Sequence, residues 1–216
     1  MRLYISKRTV AHGVTLLYAL YILVRRLLAI KSLSYFVWFL PTYISLVLQG
    51  YYLIVSLKKE PKEKDDSLGI FLVALLSANF PVIVSKVCNI FPIFNYKIYL
   101  ASIAYIVNFL VMIFYVYAIM SLGKSLTVLP EYNEIKTTGA YKYSKHPLYL
   151  SYIIQYIMQI LIFQTYSVVL CSIIQITLMI VRARYEERVL SENDEIYKNY
   201  LQNTRWINLN LGGKRK

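Results

Sequence analysis

Two polar clusters hold the side chains best suited to chemistry: GAYKYSKHP from Gly139 to Pro147, and RARYEER from Arg182 to Arg188. In the first, Pro147 suits the opening position of a helix and His146 its cap. Tyr149 then lies one turn on, over the same face. The open N–H groups of that first turn, together with the helix dipole, attract a carboxylate or a phosphate. In the second, Arg182 and Glu186 are four residues apart and share a helical face, while Glu187 points about 100° away. A guanidinium offers a planar fork to a carboxylate, and a glutamate accepts hydrogen bonds from amines and hydroxyls. Taken one at a time, both clusters also fit helix ends anchored at the headgroup level, where exposed i,i+4 ion pairs contribute little.

What joins the clusters is the run between them. Pro147 to Val181 carries no formal charge over 35 residues. As a single helix it would reach about 52 Å, far beyond a hydrocarbon core of about 30 Å. Two arms of roughly 17 residues fit instead, with a reversal near Gln164-Thr165-Tyr166-Ser167. Such a hairpin returns the second cluster to the face it left, so that His146, Tyr149, Arg182, Glu186 and Glu187 meet at one interface.

The rest of the chain supplies the setting. Of its 216 residues 58% are hydrophobic and 16% charged, and the mean hydropathy is +0.49. Soluble domains are about 45–50% apolar and about 25% charged, so this is an all-α, polytopic integral membrane protein with five to six transmembrane helices. Thr9 to Val24 is a short apolar segment bounded by basic pairs, either a short span or an interfacial helix. Leu33 to Leu57 is a clear span with Pro41 as a kink point. Leu68 to Phe91 and Ile98 to Leu122 are the next two, and the hairpin completes the set. Residues 1–122 form an N-terminal group of spans and 123–216 the region bearing the polar clusters. Many of the 22 tyrosines sit near span ends, where amphipathic rings favour the headgroup layer.

Charge gives the orientation. The N-terminus, the Lys58 loop, the Gly123–Lys145 loop and the tail hold 19 of the 24 basic residues, which places them, and both polar clusters, in the cytoplasm. The net charge of +13 follows from spans flanked by Lys and Arg facing anionic headgroups, without a nucleic acid as partner. Two histidines without H-x-x-x-H or C-x-x-C argue against a metal site. Cys88 and Cys171 read as small buried residues. The basic start leads into the first apolar segment with no cleavable signal pattern. All eleven acidic residues lie outside the apolar cores, which disfavours an ion-coupled transporter.

The block G-A-Y-K-Y-S-K-H-P-L-Y from Gly139, followed after a hairpin by R-A-R-Y-E-E-R-V-L and by Tyr197-x-x-Tyr200, resembles the isoprenylcysteine carboxyl methyltransferase family. The related phospholipid N-methyltransferases look similar. The resemblance covers the last 95 residues or so, from Ser121. Two positions depart from the family pattern: Lys145 stands where an arginine is usual, and Ser151 where a glycine is.

The resemblance implies a membrane methyltransferase using S-adenosylmethionine, bound from the cytoplasm, with a prenylated-cysteine or other lipid-tailed acceptor entering from the bilayer. It implies a cofactor site along Asn133, Glu134, Ile135 and Lys136, Tyr141, and His146, Pro147, Leu148 and Tyr149, closed by Glu186. Arg182 falls beside the reacting group. A carboxylate acceptor is already ionised near neutral pH and needs no base. An amine acceptor must lose a proton, with Glu187 or a water as the candidate base. A second enzyme class with similar C-terminal architecture is the membrane lipid reductases that use NADPH; the third alternative is a non-enzymatic membrane protein. The membrane is the plasma membrane in a prokaryote or the endoplasmic reticulum in a eukaryote. Oligomeric state is not legible in the sequence.

Overall fold

The computed structural model describes residues 7–30, 32–58, 63–64, 68–79, 97–129, 131–132, 136–193 and 195–204. Seven α-helices account for most of them: α1 Lys7–Leu28, α2 Leu33–Leu57, α3 Leu68–Asn79, α4 Ile98–Leu122, α5 Pro147–Phe163, α6 Tyr166–Asn193 and α7 Glu195–Asn203. Short 3-10 turns cover Gly123–Ser125 and Gly139–Lys142. A two-residue antiparallel ladder pairs β1, Glu63–Lys64, with β2, Glu131–Tyr132, and joins the two polar loops.

Among the described residues four helices are long and apolar enough to cross a membrane: α1, the Phe39–Leu57 part of α2, Ile98–Ser125, and Tyr166–Glu192. α3 and α5 are shorter apolar helices. The protein is therefore an all-α, polytopic membrane protein. Helices are the element that satisfies every backbone group within one segment, which is why a chain this apolar adopts them. Large apolar side chains such as Leu17, Leu110 and Leu170 face outward, as a lipid-facing surface requires.

Helix packing closes into a ring. α1 packs on α2, α2 on α4, α4 on α5, α5 on α6, α6 on α3, and α3 back on α1. α4 presents the small, buried Ala101, Ala104 and Ala118 along one face, and small residues let helix backbones approach closely in lipid. The ring matters for function because its interior encloses the pocket described below.

The hairpin turns where its sequence reverses. Gln164 adopts the left-handed conformation at the end of α5 (φ 50°, ψ 41°). That conformation is costly for a residue with a Cβ, by about 1–3 kcal/mol, and three side-chain hydrogen bonds offset it. Gln164 Oε1 accepts from the Lys97 backbone N–H at 2.8 Å, while Nε2 donates to the carbonyls of Lys97 at 3.1 Å and Leu161 at 2.8 Å. One side chain thus ties the hairpin tip to the start of α4.

Two segment bounds differ from the sequence reading. The first helix does not stop at Val24; it runs 22 residues, about 33 Å, through both basic pairs. Those basic residues have partners rather than free ends. Arg8 Nη2 donates to the Ser56 carbonyl at 2.9 Å, and the Arg26 guanidinium lies 4.6 Å from the centre of the Phe39 ring. α2 continues through Pro41. In the third segment the described helix is Leu68–Asn79; the remainder to Phe91, with Cys88, lies outside the described residues.

Candidate active site

α5 begins at Pro147 with His146 in the cap position, and its Leu148 and Tyr149 N–H groups stand in the first turn, where no intrahelical acceptor exists. The approach to this helix is held by small contacts. Gly139 has φ +62°, and a Cβ there would lie 2.5 Å from Ser121 Oγ on α4. The same Ser121 Oγ accepts from the Ala140 N–H at 3.1 Å. Ser144 Oγ accepts from the His146 N–H at 3.1 Å. From α7, the Tyr200 hydroxyl reaches the carbonyls of Tyr141 at 2.6 Å and Ser144 at 3.3 Å. Gly139 and Ser144 of the motif, with Ser121 of α4, therefore fix the path of the loop into α5.

Across the hairpin, the Tyr149 hydroxyl donates to Glu186 Oε2 at 2.5 Å. His146 Nε2 lies 2.7 Å from Glu187 Oε1, which also pairs with Lys145 Nζ at 2.7 Å. The two adjacent carboxylates thus do different things. Glu186 faces a cavity; Glu187 clamps the Lys145–His146 segment and does not line that cavity.

Arg182, one turn before Glu186, stands over the Tyr149 ring at 5.6 Å. Its Nη1 lies 3.4 Å from Ser77 Oγ on α3 and its Nη2 donates to the Thr127 carbonyl at 3.2 Å. Its Nε is buried without a partner. Among the described residues, no carboxylate pairs with it. A second polar contact stiffens the same corner: Gln175 Nε2 donates to the Ser77 carbonyl at 2.7 Å.

The cavity encloses about 1140 Å³ of empty space, its open side included. All six ring helices line it: Thr15 from α1, Gln49 and Leu53 from α2, Ala78 from α3, Tyr115 from α4, Tyr149 and Tyr152 from α5, and Arg182 and Glu186 from α6. Of the residues singled out in the sequence, Lys136, Tyr141, His146, Leu148, Tyr149, Arg182 and Glu186 line it together. Pro147 is buried behind them, and Asn133, Glu134 and Ile135 lie outside the described residues. Burial pushes the Tyr141 phenol well above its ordinary value, and the Glu186 carboxylate pushes it further, so Tyr141 stays a neutral donor. Burial, then Glu186 and Glu187, do the same to Tyr197, which closes the cavity from α7.

Gln49, Tyr115, Tyr152, Ser77 and Thr127 were not legible as site residues. The one signal available was a glutamine inside an otherwise apolar span, since polar side chains in such positions hydrogen-bond across helices.

A ring of apolar helices, four of them of membrane length among the described residues, around a cavity bearing both a cation and a carboxylate defines the class: a polytopic membrane protein with an internal polar site. Residues 103–192, which span most of α4, all of α5 and nearly all of α6, match the isoprenylcysteine carboxyl methyltransferase (ICMT) family. The match supports that family for this chain, and with it a membrane methyltransferase. No curated protein matches the chain.

Proposed function

We propose that this protein uses S-adenosylmethionine to methylate the carboxylate of an isoprenylcysteine-like or other lipid-tailed acceptor. The observation that carries the reading is the charge of the cavity: Arg182, whose hydrogen-bond partners among the described residues are neutral, lies one helical turn from Glu186. A half-buried cation with no counter-ion among the described residues favours an anionic ligand, and the carboxylate beside it favours a cationic one.

The residues present fit the cofactor. Its carboxylate suits Lys136 and the open N–H groups of the first turn of α5. Its amino and sulfonium groups suit Glu186 and the ring faces of Tyr141, Tyr149 and Tyr197. Asn133, Glu134 and Ile135 belong to the same proposed cofactor site. When bound, the cofactor supplies an electrophilic methyl group. The protein's part is positioning and exclusion of water. Arg182 orients the acceptor carboxylate, and Ser77 and Thr127 hold Arg182. The excess of basic residues in the loops that flank the site supports a cytoplasmic orientation for it.

Amine methylation, as in phospholipid N-methyltransferases, is the weaker reading. Its candidate base, Glu187, is already engaged by His146 and Lys145. The test is calorimetry of S-adenosylhomocysteine binding to detergent-purified protein, with Glu186→Ala and His146→Ala alongside. Binding in the micromolar range that both changes weaken supports the cofactor site. A folded parent that ignores this ligand but binds NADPH overturns it in favour of a reductase.

A further inference from the structure

The cavity is also lined by a polar trio on three different helices, Gln49 on α2, Tyr115 on α4 and Tyr152 on α5. Gln49 Nε2 donates to the Tyr115 hydroxyl at 2.6 Å, and the Tyr115 and Tyr152 hydroxyls are hydrogen-bonded to each other. The two rings sit 5.0 Å apart at 59°. All three residues line the cavity, and Tyr115 is only 4% exposed.

Counting hydrogens shows which donors the trio has left over, beside the Gln49 amide oxygen. An amide NH₂ and two phenols bring four donor hydrogens, and the two internal bonds use two of them. Turning the amide over changes which atoms carry the surplus, not its size. Two donors therefore remain with no acceptor among the described residues. Helix-to-helix adhesion accounts for the two bonds that are made. It does not account for donors left over against an open cavity, where burying an unmet donor costs free energy.

Resting on the methyltransferase reading above, we propose that Gln49, Tyr115 and Tyr152 form an acceptor subsite that selects a lipid-tailed carboxylate bearing a hydrogen-bond-accepting oxygen at the head of its tail. An amide or ester carbonyl is the fitting group; a wholly hydrocarbon tail leaves both donors unmet. The spacing agrees. Tyr152 is three residues beyond Tyr149 on α5, about 4.5 Å of rise, and Tyr149 is the residue over which Arg182 sits. An N-acylated amino acid separates its carboxylate and amide oxygen by a comparable few ångströms. Tyr115 and Tyr152 lie within the family-matched residues 103–192, and Gln49, on α2, lies outside them.

The test compares two probes of equal chain length, N-palmitoylglycine and nonadecanoate, by calorimetric binding to the purified protein. Binding of S-adenosylhomocysteine is measured on the same preparations. The parent is expected to favour the amide by about threefold to tenfold, the range one or two net hydrogen bonds supply. In Gln49→Leu and Tyr152→Phe the ratio of the two affinities falls toward one. Because the ratio is taken within each preparation, a partly misfolded variant does not mimic the result. Equal affinities in the parent, a preference that survives both changes, or no binding of either probe would overturn the subsite. Loss of S-adenosylhomocysteine binding in the parent is a separate failure, that of the cofactor reading, and leaves the affinity ratio interpretable.

Discussion

The Tyr149 hydroxyl reaches Glu186 across the hairpin at 2.5 Å, linking the first turn of α5 to the charged end of α6. The bond turns Glu186 toward the cavity and leaves its second oxygen for a ligand. Glu186→Ala is therefore expected to weaken S-adenosylhomocysteine binding by about tenfold to a hundredfold, the range of a charge-assisted hydrogen bond. Tyr149→Phe, which removes the orienting donor and keeps the ring, should cost less, about threefold to tenfold. Calorimetry on the two variants and their double mutant checks the coupling. Fully additive losses would show that Tyr149 does not act through Glu186.

Arg182 is held through two terminal nitrogens by neutral acceptors on α3 and the Thr127 loop. Arg182→Lys keeps the charge and loses the fork. We expect kcat/KM for a carboxylate acceptor to fall at least about tenfold, with cofactor affinity changed far less. Initial rates with a radiolabelled methyl donor measure the first quantity and calorimetry the second. Equal losses in both would place Arg182 on the cofactor instead.

Glu187 binds Lys145 and the buried His146 ring through one oxygen. Glu187→Ala leaves that ring without its acceptor and should lower stability by about 1–3 kcal/mol. Glu187→Gln, which retains an oxygen for the Nε2–H, should recover part of the loss. Thermal unfolding in detergent reads both. Identical unfolding temperatures for the alanine variant and the parent would remove the clamp.

Gly139 meets Ser121 at a distance no Cβ tolerates and has a positive φ. Gly139→Ala must distort the loop or push α4 away, at a cost of roughly 2 kcal/mol or more, part of it the left-handed backbone. The readout is melting temperature together with S-adenosylhomocysteine affinity, because the distorted loop carries Tyr141 into the cavity wall. Unchanged values for both would contradict the close packing of the loop on α4.

The sequence alone determined the elements. Charge-free runs of membrane length placed the bounds of α2 and α4, and the length of the 147–181 run required the reversal at Gln164. That reversal brought His146, Tyr149, Arg182, Glu186 and Glu187 to one end of the hairpin. Helical periodicity also separated Glu186 from Glu187 by direction. Which of the two would face the cavity was decided only by tertiary structure, because it depends on where Lys145 and Tyr149 lie across the hairpin. The same holds for the partners of Arg182, which are 105 and 55 residues away in sequence, and for Gln49 and Tyr115, 66 apart. Spans that are apolar on nearly every face carry no stripe to say which side turns inward. Helix against helix in lipid is settled by close packing and polar contacts rather than by hydrophobic contrast, and those contacts exist only once the ring has closed.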